Sequence, residues 1–144
     1  MMKNLFTVTT LLLTLLSYGQ QELAKAMKND DVVLLNQNIT DSNKNDCIEI
    51  NGTDYTLLAI AIKLDSKKIF EELITSHKVD LDNICEDKTP LMYAVKHGKE
   101  EMVIKLLEAG VNTDKTSKKG KTVLYYAEKY DQKSIAKILK GFKR

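Results

Sequence analysis

The sequence of 144 residues has few of the residue types on which catalytic and metal sites depend: it contains two histidines, two cysteines and six glycines. Neither His77 nor His97 has a partner at the spacing of a zinc or hydrolase motif, and the cysteines form no CxxC pair. None of the glycines belongs to GxGxxG or to the phosphate-binding loop GxxxxGKS/T. We therefore expect no enzyme activity, no metal, no other cofactor and no small-molecule substrate.

Long apolar runs are also scarce. A leucine-rich run over residues 5–16 is about a dozen residues long, whereas a membrane-spanning helix needs about 20. A lysine precedes this run, and the small residues Ser17 and Gly19 follow it at the −3 and −1 positions of a cleavage site. This order is typical of a secretory signal peptide. We predict a signal peptide over residues 1–19, no membrane span after its cleavage, and export from a bacterial cell to the periplasm or beyond.

The single proline, Pro90, lies in a stretch that recurs along the chain. The segments "TLLAIAIKLD", "TPLMYAVKHG" and "TVLYYAEKYD" each begin with a threonine, and successive threonines are 33 residues apart. Leucine and alanine columns keep this spacing, as shown by Leu58, Leu91 and Leu124, by Ala61, Ala94 and Ala127, and by Leu73, Leu106 and Leu139. A fixed period of this length indicates an array of stacked repeats.

The residue types in one period predict a pair of short helices. A threonine oxygen can accept hydrogen bonds from the free N–H groups of a helix's first turn, and proline is well tolerated at the next position because it has no N–H to satisfy. Gly98 is expected at the turn between the helices, and Gly110 at the end of the second. Because such a pair cannot bury its apolar faces alone, neighbouring pairs must stack.

The stretch "TPLMYAVKHGKEEMVIKLLEAGVN" at 89–112 resembles an ankyrin repeat. The resemblance implies an all-α fold, a solenoid of about four stacked helix-turn-helix units with inter-repeat loops, in one domain over residues 20–144. Its approximate repeats are 20–50, 51–83, 84–116 and 117–144. The histidine that usually follows proline and leucine in the family is replaced here by Ala59, Met92 and Tyr125, so its hydrogen bond to the capping threonine is expected to be missing.

Two cysteines remain in the predicted mature chain, and an oxidising compartment would permit a disulfide between them. Cys47 lies nine residues before Thr56, whereas Cys85 lies four residues before Thr89. These unequal offsets suggest a Cα separation beyond the ~7 Å that a disulfide tolerates. The sequence therefore leaves both a Cys47–Cys85 bridge and two free thiols open, and it favours the thiols.

The resemblance also implies where a partner binds, because ankyrin-like arrays usually meet ligands at the loop tips and on the exposed side of the first helices. In this chain these positions form a concave strip that becomes increasingly rich in lysine along the array. The partner-binding residues predicted in this way are Tyr55, Lys63, Lys88, Lys96, His97, Lys118, Lys119, Lys121, Lys129 and Tyr130.

Charge is distributed unevenly along the chain. Residues 20–87 hold 7 lysines and 14 acidic residues, a net −7, whereas residues 88–144 hold 14 basic and 6 acidic residues, a net +8. The basic part could face an acidic protein, a phosphate-bearing envelope surface or the acidic part of another copy. Nucleic acid is not expected, because basic charge alone gives only nonspecific binding and no nucleic-acid module is present.

These observations together predict a non-enzymatic protein–protein interaction module whose partner protein the sequence does not name. Two alternatives stay open. The first is an inhibitor or immunity-type protein that blocks an exported enzyme or toxin. The second is a structural envelope protein that self-associates head to tail through its two oppositely charged parts.

Overall fold

A computed structural model of the protein describes residues 18–142, and eight helices lie in this range. Their bounds are residues 18–29 (α1), Val32–Asn38 (α2), Leu57–Leu64 (α3), Lys67–Thr75 (α4), Pro90–Lys96 (α5), Glu100–Glu108 (α6), Val123–Lys129 (α7) and Lys133–Gly141 (α8). The helices form four consecutive pairs, which confirms the predicted helical solenoid. The predicted signal peptide lies almost entirely outside the described residues.

The threonine column begins the first helix of the second, third and fourth pairs. In each case the threonine side chain accepts a hydrogen bond from the backbone N–H three residues later, at 3.0 to 3.3 Å. Pro90 occupies the first position of α5, where its missing N–H leaves no hydrogen bond unmade. The capping threonines are Thr56, Thr89 and Thr122.

The turn between the two helices of a pair depends on a residue with a left-handed backbone. Asp65, Gly98 and Asp131 hold this position, and their φ angles are +57°, +64° and +53°. Aspartate tolerates the left-handed region better than most residues with a side chain, so it can replace glycine here. The 33-residue period is thus kept in backbone conformation even where the residue type changes.

The helices pack in two layers. First helices contact first helices, with α5 between α3 and α7, while α2 packs against α4 and α6 against α8. Leu58 and Leu91 are each 1% exposed between the layers, and burying a leucine contributes about 1.5–3 kcal/mol. Leu124, in the same column, is only half-buried, because the described part of the chain has no fifth pair to cover it.

A two-stranded antiparallel sheet precedes α3 and was not part of the all-α prediction. Strands Cys47–Ile50 (β1) and Thr53–Thr56 (β2) are joined by Asn51 and Gly52, whose φ angles are +53° and +77°. Asn-Gly is a favoured dipeptide for two-residue hairpin turns, because both positions need positive φ. The first inter-repeat loop is therefore a β-hairpin.

This hairpin explains how Cys47 reaches Cys85, with which it forms a disulfide. The hairpin register places Cys47 opposite Thr56, so the nine-residue offset is folded back on itself. The two Cα atoms are 5.6 Å apart. The expectation that unequal offsets keep the cysteines apart is wrong, since it treated the loop before Thr56 as a single extended segment.

The first helix pair also caps a helix of the second pair. The carboxylate of Asp30, in the turn between α1 and α2, accepts hydrogen bonds from the backbone N–H groups of Lys68 and Ile69 at 3.1 and 2.9 Å. Ser66, which precedes α4, does not cap that helix but donates its hydroxyl to the carbonyl of Met27. Backbone groups at the start of α4 are thus satisfied from the neighbouring pair, which fixes how the pairs stack.

Candidate protein-binding surface

Three lysines mark one face of the array. Lys63, Lys96 and Lys129 lie 33 residues apart, at equivalent positions near the ends of α3, α5 and α7. Because these first helices pack side by side, their equivalent positions form a row across the repeats. The predicted row of cations is therefore formed by regular structure.

Tyrosines lie beside these lysines. The rings of Tyr55 and Tyr93 meet edge to face, with centroids 5.7 Å apart, and thus join the second repeat to the third. In the last repeat Tyr126 is stacked with Tyr130 at 6.4 Å, and Tyr125 meets Tyr126 edge to face at 5.4 Å. Such ring pairs are worth about 0.5–1.5 kcal/mol beyond the area they bury.

The lysine ammonium groups stand over these rings. Lys63 Nζ lies 3.9 Å from the centroid of the Tyr55 ring and donates a hydrogen bond to the Tyr55 hydroxyl at 2.7 Å. Lys121 Nζ lies 4.7 Å from the Tyr125 ring, and Lys96 Nζ lies 5.8 Å from the Tyr130 ring. These distances are within the ~6 Å range of cation–π attraction.

We call this surface the tyrosine–lysine strip. Two further lysines complete it, with Lys88 Nζ 5.3 Å from the Tyr126 ring and Lys129 Nζ within 5.9 Å of the rings of both Tyr125 and Tyr130. Its members are Tyr55, Lys63, Lys88, Tyr93, Lys96, Lys121, Tyr125, Tyr126, Lys129 and Tyr130.

Three of these tyrosines are not among the residues predicted from the sequence. Tyr93 and Tyr126 follow Ile60 in one 33-residue column, and Tyr125 follows Ala59 and Met92 in the preceding column. Both columns are buried in the inner repeats, and the surface positions predicted from the sequence do not include them. A change from aliphatic to aromatic along a column was the available signal, because it places a polar hydroxyl where apolar residues precede it.

Asp87 anchors the loop at the last repeat. Its carboxylate accepts hydrogen bonds from Lys88 Nζ at 2.9 Å, from the Lys119 backbone N–H at 3.3 Å and from the Tyr126 hydroxyl at 3.4 Å. Its backbone carbonyl accepts from the Lys118 N–H at 3.0 Å. Partial burial opposes the charged form, but Lys88 and the Lys119 amide outweigh it and lower the pKa of Asp87.

Two predicted residues, Lys118 and Lys119, are therefore held by the neighbouring loop rather than by the strip's rings. The Lys118 ammonium donates to the carbonyl oxygen of Cys85 at 3.0 Å, next to the disulfide. Lys119 is bound to Asp87 only through its backbone, and its side chain is exposed. These residues border the strip and extend its positive charge over the loop tip.

The electrostatics of the strip are seen in two other groups. Burial, together with the positive charges of Lys96, Lys63 and Lys99, lowers the pKa of His97, so the imidazole resists protonation. Burial raises the pKa of Tyr93 to about 12, with Tyr55 as a smaller contributor, so its hydroxyl stays protonated. His97 therefore lies in a positive field, and the protonated Tyr93 hydroxyl is unsuited to act as a base.

Lysines on the second helices have different surroundings. Lys67 pairs with Glu101 at 3.4 Å, Lys105 pairs with Glu71 at 2.6 Å, and each of these pairs links neighbouring repeats. Among residues 18–142, by contrast, no carboxylate lies within 4.0 Å of the ammonium groups of Lys96, Lys121 or Lys129. Lys67 and Lys105 are thus paired within the array, whereas these strip lysines have no acidic partner in the described part of the chain.

An open groove lies at the N-terminal end of the strip, where Leu64 is 50% exposed. Leu64 occupies the position that His97 and Tyr130 hold in the later repeats. The groove is lined by Ala24, Lys28, Glu49, Ile50, Asn51 and Leu64. The surface thus offers apolar contact at one end and cations with aromatic rings at the other.

The described residues offer no alternative chemistry of the metal-binding kind. Between residues 18 and 142, no group of three or more histidine, cysteine, aspartate or glutamate side chains is arranged to hold a metal ion. In the same part of the chain no helix is both long and apolar enough to cross a membrane.

Comparisons with known proteins agree with the architecture. A family model described as Ankyrin repeats (3 copies) matches residues 12–117 and 58–143. The chain is also 31% identical over 85 residues, 58% of its length, to Neurogenic locus notch homolog protein 1 of Xenopus tropicalis. It spans only 3% of that relative's length. The matched residues cover most of the chain and all eight described helices, and the chain belongs to the ankyrin-repeat family.

Proposed function

We propose that this protein is a non-enzymatic binding module that holds a partner protein on the tyrosine–lysine strip and the adjoining loop tips. Ankyrin repeats generally serve as protein–protein interaction modules and typically lack enzyme activity. The observation that carries the proposal is the row of lysines over tyrosine rings, repeated at equivalent positions on three successive first helices.

The residue types of the strip suit such an interface. Tyrosine is enriched at protein interfaces because it brings a large apolar ring and a hydroxyl while losing little conformational entropy. The stems of the lysines can cover apolar groups of a partner, while their ammonium groups donate hydrogen bonds. Ring contacts between the second and third repeats and within the last repeat order this surface before a partner arrives, which lowers the entropy cost of binding.

Export to an oxidising compartment is part of the proposal. The Cys47–Cys85 bridge supports it, because disulfides persist in secreted and periplasmic proteins and are rare in the cytosol. The leader-like residues 1–19 support it independently. Fractionation of the producing cells tests this part: protein found only in the cytosol, with both thiols reduced, would contradict export.

The experiment that tests binding is affinity capture from an envelope extract of the producing organism, followed by quantitative mass spectrometry. A strip variant carries Lys96→Glu, Lys118→Glu, Lys119→Glu and Lys121→Glu. We expect one or a few proteins to bind the wild type and to be lost with this variant.

The matched control reverses Lys133, Lys137 and Lys140, together with Lys68, to glutamate, and so makes the same change in net charge at exposed positions on the second helices, away from the strip's rings. Proteins captured through the strip should bind this control as they bind the wild type. If both variants capture the same proteins as the wild type, the strip is not the binding site.

Head-to-tail self-association is a second candidate, because the net −7 of residues 20–87 faces a net +8 over residues 88–144. Electrostatic association of this kind weakens as salt screens the charges. Light scattering over a range of concentrations, at low and high salt, decides the matter. A mass that changes with neither variable excludes this candidate.

A further inference from the structure

We infer that the partner segment recognised by the tyrosine–lysine strip is acidic, with carboxylates that meet the ammonium groups of Lys96, Lys121 and Lys129 and apolar side chains that pack on the tyrosine rings. This inference rests on the proposed function and specifies the chemistry of what the strip binds.

The first argument is the unused charge of the strip. Inter-repeat carboxylates neutralise Lys67, Lys99 and Lys105 at the second helices and the helix-pair turns, at distances of 2.6 to 3.4 Å. In the described range Lys96, Lys121 and Lys129 meet aromatic rings instead. Since a tyrosine ring attracts a cation without neutralising it, these three lysines keep a full positive charge for an outside partner.

The second argument is the geometry of these lysines. Each ammonium group has three N–H donors and no acceptor, and a ring on one side engages only part of that capacity. The ring centroids lie 4.7 to 5.9 Å from these ammonium groups, so the attraction favours lysine conformers that keep the charge over the strip. A carboxylate that approaches from solvent can bond to the donors that the rings leave free.

The third argument separates an acidic polypeptide from nucleic acid and from an anionic membrane. Long polyanions extend well beyond the strip and would meet the net −7 of residues 20–87. Glu86 and Asp87 also place carboxylates at the loop edge of the strip, next to Lys88. A short acidic segment can avoid both repulsive regions, the acidic part of the chain and the loop-edge carboxylates. It needs to contact only Lys96, Lys121 and Lys129 in the last two repeats.

A displayed random peptide library, selected at moderate salt against the full chain with its disulfide intact, tests the inference. The readout is the mean net charge of the enriched peptides relative to the unselected library, followed by affinities of individual peptides. The strip variant used in this experiment differs from the charge-reversal variant above and carries Lys96→Gln, Lys121→Gln and Lys129→Gln. The control variant, Lys133→Gln, Lys137→Gln and Lys140→Gln, removes the same charge from exposed positions on α8.

We expect the enriched peptides to be acidic and to contain aromatic or leucine residues, to bind the strip variant about tenfold or more weakly, and to bind the control almost as the wild type does. Acidic peptides that bind both variants equally would overturn the inference, since they would bind elsewhere. A library that yields no binders would overturn it as well.

Two outcomes separate this inference from the proposed function. Neutral or basic peptides that bind the wild type and lose affinity with the strip variant would overturn the acidic partner and leave the strip as a polypeptide-binding site. The other probes are phosphatidylglycerol vesicles and a single-stranded oligonucleotide. If binding of the vesicles or of the oligonucleotide depends on the same three lysines and is tighter than binding of the best acidic peptide, the ligand of the strip is a polyanion and not an acidic polypeptide.

Discussion

Single residues in this protein often serve the neighbouring repeat rather than their own. Asp87 is the clearest case, since its side chain joins Lys88, the Lys119 backbone and Tyr126. With 13% of its side chain exposed, the carboxylate is largely withdrawn from water, and its hydrogen bonds to charged and backbone groups stabilise the fold. Asp87 therefore connects the stability of the last repeat to the shape of the strip.

We predict that Asp87→Asn lowers the free energy of unfolding by about 1–2 kcal/mol at pH 7, because the amide keeps the shape but loses the charge beside Lys88. Since folding lowers the pKa of Asp87, its contribution is present above the ordinary aspartate pKa near 4 and is lost as pH falls through the lower folded value. Urea denaturation of both proteins from pH 7 down to about pH 2 should show the difference shrinking below about pH 4.

The matched control is Asp114→Asn, which removes an exposed carboxylate from the loop between α6 and α7. This change should leave the free energy of unfolding within about 0.5 kcal/mol of the wild type. Equal effects of the two substitutions at pH 7, or a difference for Asp87→Asn that does not depend on pH, would show that the Asp87 carboxylate is not stabilising.

The capping threonines allow a second test at this scale. Thr89→Ala leaves the N–H of the fully buried Met92 without an acceptor, whereas Thr122→Ala leaves that of Tyr125, which is 37% exposed. We predict a loss of about 1–2 kcal/mol for Thr89→Ala and a smaller loss for Thr122→Ala, because water can replace the missing acceptor only at Tyr125.

Denaturation of both variants in urea, with Thr89→Ser as the control that keeps the hydroxyl, gives this comparison. The Thr89→Ser variant should keep most of the free energy of unfolding that Thr89→Ala loses. If Thr122→Ala costs as much as Thr89→Ala, burial of the capped N–H is not what determines the effect.

The sequence predicted Lys63, Lys96 and Lys129 on the first helices, where the structure has them, because exposed positions repeat at the same spacing as the buried ones. It did not predict the tyrosine rings beneath them, since Tyr93 and Tyr126 occupy a column that is aliphatic at Ile60. The contacts of Asp87 were equally hidden, because they join two loops whose relative position depends on how the repeats stack. Whether these positions bind a partner stays a prediction.

At the scale of secondary-structure elements, the hairpin Cys47–Thr56 is the main departure from a purely helical array. "INGT" at its turn carries the Asn-Gly pair that favours a two-residue hairpin, and Ile48 alternates with exposed neighbours. The sequence therefore contained the evidence for a hairpin. The 33-residue period instead led to the expectation that all inter-repeat loops have the same structure. The hairpin also sets the position from which Cys47 reaches Cys85.

We predict that replacing both cysteines by serine lowers the free energy of unfolding by about 3–4 kcal/mol. The bridge joins residues 38 positions apart, and most of its effect comes from restricting the unfolded chain. Urea denaturation of the oxidised wild type and of the Cys47→Ser/Cys85→Ser variant measures the difference.

Wild type in the presence of a thiol reductant is the control, and it should unfold at the midpoint of the double-serine variant. Coincident curves for oxidised and reduced protein would show that the bridge does not stabilise the array. A reduced protein that is much less stable than the serine variant would point instead to strain from the free thiols.

At the scale of the whole molecule, the fold could be predicted from the 33-residue period of the sequence. The buried columns at Leu58 and Leu91, the caps and the left-handed turns all recur at the same spacing, so each repeat confirms the next. The period did not predict burial at the end of the array. Leu124 keeps the spacing of the buried leucines but is only half-buried, because no following repeat covers it in the described chain. A partner is not determined by this period, since the same scaffold serves unrelated ligands.

The first-helix and second-helix layers of the array differ in how their charged residues are paired. On α4, α6 and the helix-pair turns, three ion pairs join neighbouring repeats, as in Lys105–Glu71 and Lys99–Asp65. On the first-helix side, Lys96, Lys121 and Lys129 lie near tyrosine rings and have no acidic partner among the described residues, while the rings of Tyr93 and Tyr126 beneath the lysines are buried. We therefore assign recognition to the first-helix side, and not to the second helices, whose inter-repeat ion pairs join the array.

The measurement that tests this division most directly is a titration followed in two-dimensional ¹H–¹⁵N spectra, in which the labelled protein receives its tightest selected peptide. The account predicts shift changes on α3, α5 and α7 and in the loop at 117–121, with α4, α6 and α8 almost unchanged. Changes centred on the second helices, or spread evenly over both layers, would contradict it.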